Sequence, residues 1–268
     1  MAGNRVVLIT GASSGIGRVT ADRLAGQGWT VIGASRRGTA SAGWNALVMD
    51  VDEDESVRAG VEKVVAEHER LDAVVACAGW GLSGAVEHTP IEAAKRQFET
   101  NVWGVVRVVQ AALAPMRRQG GGRVVLVSSI GGIVALPFHA FYSASKFALE
   151  GYGEALAYEV APFGIEVTLL EPGNVRTGFT QNRVDVVAPE ADDPYAEAVA
   201  KAVGLMERDE ENGVEPEDVA AAISRILDSR RPRRRVSVGK ADERVGIIAK
   251  RVLPGRAFEL AARGSLGV

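Results

Sequence analysis

The 268-residue sequence holds a single cysteine, Cys77. One thiol cannot close an intramolecular disulfide, and a lone thiol suits a reducing compartment, so a cytoplasmic protein is expected. No apolar run approaches the roughly 18 residues that a membrane-spanning helix requires. The start Met-Ala-Gly-Asn-Arg enters a strand-like segment without a signal-peptide layout, and stable membrane insertion is not expected. Charge of one sign is also missing. With 31 Lys+Arg against 34 Asp+Glu the chain carries -3, which gives no overall basic surplus for a nucleic-acid partner and no acidic surplus for disorder. The three histidines, His68, His88 and His139, have no metal-ligand spacing and no second cysteine to complete a site, so no metal is expected. A GxSxG elbow for a serine hydrolase is absent as well. Aromatics are scarce, 15 in all, while glycine reaches 31. Glycine at twice the number of aromatics calls for backbone positions that a Cβ would obstruct.

Short β-branched apolar runs alternate with longer segments at helical spacing, the pattern of βαβ units around a parallel sheet covered on both faces. Strands are expected at 5–10, 30–34, 46–49, 73–76, 123–127, 166–170 and 235–238. Helices are expected at 16–27, 54–69, 90–119 with an interruption near Pro115, 142–161, and about 195–207. With no linker and no repeat, one domain spanning 1–268 is expected. Between residues 171 and 215 the periodicity weakens among Pro172, Gly173, Pro189 and Pro194, which suggests a lid at about 174–215. From residue 225 onward there are 12 Arg+Lys and 4 Asp+Glu, so the tail carries +8 and the remainder -11. A basic C-terminal extension at about 230–268 follows. The run Arg230, Arg231, Arg233, Arg234, Arg235 is better read as a solvated turn than as a site for an acidic partner or a membrane surface. The apolar residues Val245, Ile248, Val252, Leu253, Phe258 and Leu260 are expected to cover a core or a subunit contact.

The first strand runs into Thr10-Gly11-Ala12-Ser13-Ser14-Gly15-Ile16-Gly17 and then a helix. Free amides and the positive end of a helix dipole favour an anion there, and glycine lets a pyrophosphate approach the backbone, so Gly11, Ser13, Ser14, Gly15, Ile16 and Gly17 form a candidate phosphate turn. The spacing is GxxxGxG, not GxGxxG, in the same strand-turn-helix context. After the second strand, where a dinucleotide fold selects its cofactor, stand Ser35, Arg36 and Arg37 with no carboxylate. A guanidinium pairs with a 2'-phosphate, so NADP(H) is favoured, with Arg36 ahead of Arg37, and NAD(H) is the alternative that Ser35 tolerates. Asp50 and Val51 follow the third strand and could meet an adenine, though an Asp there also caps helices. Tyr142 and Lys146 lie four apart on one helix face, where an ammonium beside a phenol favours phenolate and makes Tyr142 a usable general acid/base. Ser129 ends the fifth strand and could bring a hydroxyl to a substrate carbonyl.

These residues together resemble the short-chain dehydrogenases/reductases over about 5–177. The motifs that carry the likeness are Thr-Gly-Ala-Ser-Ser-Gly-Ile-Gly at 10–17, Asp50-Val51, Ala78-Gly79, Asn101 within Thr-Asn-Val-Trp-Gly, Ser128-Ser129, Tyr142-Ser-Ala-Ser-Lys146, and Glu171-Pro172-Gly173 through Thr177. The resemblance implies a Rossmann-like three-layer α/β sandwich with a seven-stranded, mostly parallel sheet. It implies a catalytic set of Asn101, Ser129, Tyr142 and Lys146, with Asn101 shaping a kinked helix and holding a water for proton relay, Lys146 holding the nicotinamide ribose, and Asn101, Tyr142 and Lys146 also meeting the cofactor. Ala78, Gly79, Pro172, Gly173, Val175 and Thr177 would border the cofactor. The activity implied is hydride transfer between nicotinamide and a carbonyl or secondary alcohol. Homo-oligomers, dimers or tetramers, are implied through the helices around Asn101 and Tyr142. The stretch from Leu136 to Gly151 is similar to the branch containing 17β-hydroxysteroid and retinol dehydrogenases, which suggests a bulky apolar ketone or alcohol met by Ser129, Phe138, His139 and Tyr142. One departure is Cys77, where the family usually has Asn before Ala-Gly, and this puts the packing behind the fourth strand in question. A rival expectation is a non-catalytic NADP(H) sensor, against which the full Tyr142-Lys146 pair argues.

Overall fold

In the computed structural model the apolar runs form one seven-stranded, wholly parallel sheet. The structure describes residues 5–39, 41, 43–186 and 192–266, with the side chains of 261–266 excepted. Pro189, the rest of 187–191 in the expected lid, and the last two residues of the expected extension lie outside the described residues. The elements in chain order are β1 (Val6–Thr10), α1 (Gly15–Gly26), β2 (Thr30–Ser35), β3 (Asn45–Val48), α2 (Asp54–His68), β4 (Ala73–Ala76), β5 (Leu82–Ser83), α3 (Ile91–Phe98), α4 (Val105–Arg118), β6 (Gly122–Val127), α5 (Ala140–Val160), β7 (Ile165–Pro172), α6 (Phe179–Asn182), β8 (Val184–Asp185), α7 (Ala196–Glu211), α8 (Pro216–Asp228), β9 (Arg235–Val238), α9 (Ala241–Val252) and α10 (Gly255–Leu266). The sheet order is β3-β2-β1-β4-β6-β7-β9, so chain direction across the sheet reverses between β1 and β4. At such a reversal the loops leaving the two strands diverge and open a crevice at their carboxyl ends.

Alternate residues of each central strand feed two cores. Val6, Leu8, Val74, Ala76, Val124 and Leu126 join the layer under α2, α4 and α5. Val7, Ile9, Ala73, Val75, Val125 and Val127 join the layer under α1 and α8. A strand buried on both sides must be apolar at every position, which is why these segments read as continuous runs.

Three expectations are corrected by the fold, and one helix is added to them. The long helix from 91 to 118 passes through Pro115, and its irregularity is instead a π-helical turn at Glu99–Gly104. The helix α8 goes unforeseen by periodicity, although Val219, Ala222, Ile223, Ile226 and Leu227 give it a buried stripe. Arg235 is not a solvated turn residue. Its guanidinium bridges Glu150 at 3.0 Å and Glu154 at 2.6 Å, tying β9 to α5. The C-terminal apolar set does not cover the core: Val245, Ile248, Val252, Leu253 and Leu260 are exposed, and within α9 it is Ile247 that is buried. The physical reason is position, because α9 follows the edge strand β9 and has no sheet face left to cover.

Candidate active site

The crevice between β1 and β4 opens into a cavity of about 710 Å³ that runs from the glycine turn to the lid. Gly11 and Gly15 occupy the left-handed region, with φ of 69° and 53°. A Cβ on Gly17 would fall 2.5 Å from the Gly11 carbonyl oxygen, so the turn into α1 closes only with glycine at that position. The first turn of α1 contains no acidic residue, which leaves its positive end to an external anion. Ser13, Ser14, Gly15, Ile16, Arg36, Arg37, Asp50, Val51, Ala78 and Gly79 all line this half. Both arginines are exposed. Asp50 is also used locally, since its carboxylate accepts from the Asp52 amide at 3.1 Å. The Thr10 hydroxyl accepts from the amides of Cys77 at 3.0 Å and Ala78 at 3.1 Å, so the ends of β1 and β4 are braced even with Cys77 in this place. Burial pushes the Cys77 thiol up to about 11, which keeps it protonated and unreactive.

Tyr142 and Lys146 share the inner face of α5, and Ser129 meets them from the end of β6. The Ser129 hydroxyl is hydrogen-bonded to the Tyr142 phenol, and a Cβ on Gly131 would stand 3.3 Å from Tyr142 Cε1 and 3.4 Å from Ser129 Oγ, so glycine there leaves both side chains clear. Ser129 Oγ accepts from the Gly131 amide at 3.0 Å and donates to the Pro172 carbonyl at 3.4 Å. Lys146 Nζ donates to the Val127 carbonyl at 3.0 Å and lies 5.7 Å from the centre of the Tyr142 ring. Burial pulls Lys146 down to about 8, against the opposing pull of Cys77 and Glu150. Tyr142 moves the other way from expectation. Burial pushes the phenol up to about 12, a hydrogen bond with Ser129 opposes the shift, and the charge of Glu210 adds to it. The ammonium bonds a carbonyl of β6 and does not offset this burial, so the phenol keeps its proton.

Asn101 stands behind the cavity wall, fully buried in the π-helical turn. Its Oδ1 accepts from the Trp80 amide at 3.0 Å and its Nδ2 donates to the Trp80 carbonyl at 3.0 Å. Nδ2 also reaches Ser145 Oγ at 3.2 Å, and Ser145 Oγ donates to the Tyr142 carbonyl at 2.7 Å. Asn101 thus orients the loop after β4 and the backbone of Tyr142 from the helix irregularity in which the resemblance places it. Gly173 lines the cavity, yet a Cβ on it would collide with the Glu243 carboxylate on α9. Glu243 accepts from the Asn174 backbone and side-chain amides, both at 2.8 Å, so the C-terminal region buttresses the 172–177 segment. Thr177 comes within 3.5 Å of a Cβ position on Gly15, and Pro172 and Val175 also line the wall.

On the substrate side His139 lines the cavity and stacks on Tyr142 with ring centres 4.8 Å apart. Phe138 does not line it. The backbone is left-handed at Phe138, φ 57°, and its carbonyl accepts from the Gly84 amide at 2.8 Å, so the chain turns there and Leu136 lines the wall instead. The lid supplies residues that the sequence pattern missed. Phe179 of α6 meets the Tyr142 ring edge-on at 5.7 Å, and Met206, Asp209 and Glu210 of α7 complete the wall. A signal for the last was present, since Ala202, Met206 and Glu210 repeat every four residues and all three are buried. The expected helix ended at 207, before it could enter the count.

The family model for short chain dehydrogenase matches residues 5–187. The chain is a member of the short-chain dehydrogenase/reductase family. It is 40% identical over 260 residues to the 3-ketodihydrosphingosine reductase of Bacteroides thetaiotaomicron, covering 97% of each chain. It is 42% identical over 194 residues to 17-beta-hydroxysteroid dehydrogenase type 1 of Homo sapiens, which covers 66% of this chain and 58% of the human one. The solved short-chain dehydrogenase from Streptomyces avermitilis superposes with a TM-score of 0.84 at 34% identity over 99% of both chains. Membership makes the protein an oxidoreductase of alcohol and keto groups, and the human relative lies in the branch that residues 136–151 resemble. Among the described residues no helix is long and apolar enough to cross a membrane, and no group of His, Cys, Asp and Glu is arranged to hold a metal.

Proposed function

We propose that the protein is an NADP(H)-dependent reductase of bulky, apolar ketones, working on a small-molecule substrate as a homo-oligomer. The hydrogen bond between the Ser129 hydroxyl and the Tyr142 phenol, both lining the cavity, carries this reading. The glycine turn, open at the positive end of α1, fits a pyrophosphate, and Arg36 and Arg37 fit a 2'-phosphate better than a bare ribose hydroxyl. When bound, the nicotinamide supplies the hydride. Ser129 donates to the substrate oxygen and holds the carbonyl. Tyr142, kept protonated by burial, gives its proton to the oxygen as charge develops there. Lys146 carries the positive charge beneath the phenol and stands next to Gly79, where a nicotinamide ribose would lie. The name of the Bacteroides relative supports a ketone on a long-chain substrate, and Leu136, Phe179, Val184, Leu205 and Met206 give the lid half an apolar lining that suits one.

Absorbance at 340 nm with NADPH or NADH and a panel of long-chain and steroidal ketones tests the proposal. Turnover is expected with NADPH in excess of NADH, and Tyr142→Phe is expected to lower kcat by at least ~10²-fold while NADPH still binds. Nucleotide binding without turnover of any ketone or alcohol would favour the sensor instead. The oligomeric part of the proposal is supported by Phe147 and Tyr158, exposed on one face of α5, with Trp103 exposed on the neighbouring π-helical turn.

A further inference from the structure

The last two helices turn an apolar stripe toward water. Helix α9 follows the edge strand β9, and of its 12 residues only Ile247 is buried. Val245, Ile248 and Val252 are 61%, 60% and 71% exposed. At about 100° per residue these three fall within about 60° of arc, on the side turned away from Ile247. Arg244 and Arg251, both exposed, border the stripe along one edge. An amphipathic helix of a globular domain points its apolar stripe at the core, and α9 points its own outward. Leu253 at the corner after α9 and Leu260 on α10 are exposed as well. The Lys250 ammonium lies 4.8 Å from the centre of the half-buried Phe258 ring, so this contact holds α10 to α9 and takes up the one aromatic ring of α10.

The chemistry of the stripe says what covers it. Contacts between proteins are carried by aromatic anchors seated in pockets, and α9 has no aromatic residue. A face for a second copy stands elsewhere, on α5, where Phe147 and Tyr158 are exposed. A row of aliphatic side chains edged by guanidinium groups matches a helix lying in the headgroup layer of a bilayer, with its aliphatics toward the acyl chains and its cations at the phosphates. Charge along the chain agrees with this. From residue 225 onward the net charge is +8 and the remainder carries -11, so an anionic surface attracts the tail and repels the body. The position of α9 also gives docking a use. Glu243 in its first turn accepts from the Asn174 backbone amide at 2.8 Å, and Gly173 and Asn174 line the cavity, so the helix starts at the cavity wall.

We infer that α9 and its corner with α10 form a peripheral docking surface for an anionic lipid bilayer, with Val245, Ile248, Val252 and Leu253 entering the acyl boundary and Arg244 and Arg251 at the lipid phosphates. The attachment is reversible adsorption, since a short aliphatic stripe and two cations hold a helix in the interface without spanning it. Docking sets the cavity wall beside the phase in which a bulky apolar ketone dissolves. That use rests on the reductase reading, whereas the surface itself does not.

Flotation of the full-length protein with lipid vesicles tests the surface without cofactor or ketone, so its failure and that of the reductase reading are told apart. The vesicles are phosphatidylcholine alone or phosphatidylcholine with ~30 mol% phosphatidylglycerol. The wild type is expected to float with the anionic vesicles at least ~10-fold better than with the neutral ones, and to lose most of that advantage at ~500 mM salt, where charge is screened. Val245→Ser combined with Ile248→Ser and Val252→Ser keeps every charge and is expected to weaken flotation by ~10-fold or more, with the far-UV circular dichroism unchanged. Arg244→Gln combined with Arg251→Gln is expected to shrink the preference for anionic vesicles. A wild type that stays unbound in the presence of anionic vesicles, or a triple serine variant that floats as well as the wild type, would overturn the surface. A triple serine variant that floats unchanged but sediments as a smaller species than the wild type would make the stripe a subunit contact, which overturns it too. Should the triple variant fail to fold, Ile248→Ser alone and the arginine pair decide by the same readouts.

Discussion

At the scale of single residues the site works by withholding water from charge. Lys146 is buried with its ammonium, and its folded value of about 8 lies below the ordinary 10.5. An unfolded chain therefore holds more protons than the folded one between those values, and stability rises with pH across that window, the buried charge being fully destabilising below pH 8. Lys146→Met is expected to raise the unfolding free energy at pH 7 by about 1–3 kcal/mol, less whatever the bond to the Val127 carbonyl contributes, and to abolish turnover. Urea unfolding at pH 7 and near pH 10 checks this, because the gain should shrink at the higher pH. The same values predict the pH profile of ketone reduction. Tyr142 stays protonated up to about 12, so the first loss on raising pH is the Lys146 charge, and kcat/KM for reduction should fall through pH 8. Arg36 is a residue-scale question of specificity. Arg36→Ala is expected to raise the KM for NADPH by ~10-fold or more and to change that for NADH far less, and equal changes would remove the 2'-phosphate assignment.

Among the elements, the helix that carries Asn101 shows how a local defect is put to use. A π-helical turn admits an extra residue into the helix, and such turns gather at functional positions. Here it lies between α3 and α4 and holds the Asn101 carboxamide against the Trp80 backbone and Ser145. Asn101→Leu removes three hydrogen bonds and strands the Trp80 amide, while the Trp80 carbonyl keeps its bond from Gln97 Nε2 at 3.1 Å, so a loss of about 2–4 kcal/mol is expected by urea unfolding. Because Ser145 links Asn101 to the Tyr142 carbonyl, kcat should fall more than KM rises. The sequence pattern located this helix but put its irregularity at Pro115, since proline is the visible helix breaker and a π-helical turn has no comparable residue signature. The lid shows the same limit. Its strand β8 pairs in parallel with β5, two residues each, which is too short for any periodicity to register.

For the whole molecule, the proposed homo-oligomer has a candidate interface on α5. Phe147 and Tyr158 are eleven residues apart on α5, three helical turns, so they share a face, and Gly151 between them has open space where a side chain would stand. Apolar groups exposed in a line on a helix that also bears the reactive pair suit a contact between subunits. Phe147→Glu combined with Tyr158→Glu is expected to lower the sedimentation coefficient to that of a monomer without changing the far-UV circular dichroism. A monomeric wild type at micromolar concentration would refute this interface. The C-terminal region has a second whole-molecule role, because Glu243 of α9 braces Gly173 and Asn174 across 69 residues and so couples the end of the chain to the wall of the cavity.

The sequence by itself determined the seven strands, the glycine turn and the Tyr142-Lys146 pair. Each is written in residues that are close along the chain: continuous apolar runs for strands covered on both faces, a turn of a few residues that tolerates no Cβ, and a spacing of four on one helix. Tertiary structure alone decided the surroundings of those groups. That Tyr142 is held above its ordinary range, that His139 has no partner, that one Arg183 meets three carboxylates, and that Gly173 makes room for Glu243 all depend on which elements pack together. Burial and Coulomb interaction act through space, between residues tens of positions apart, and leave no periodic trace in the chain that a local reading could detect.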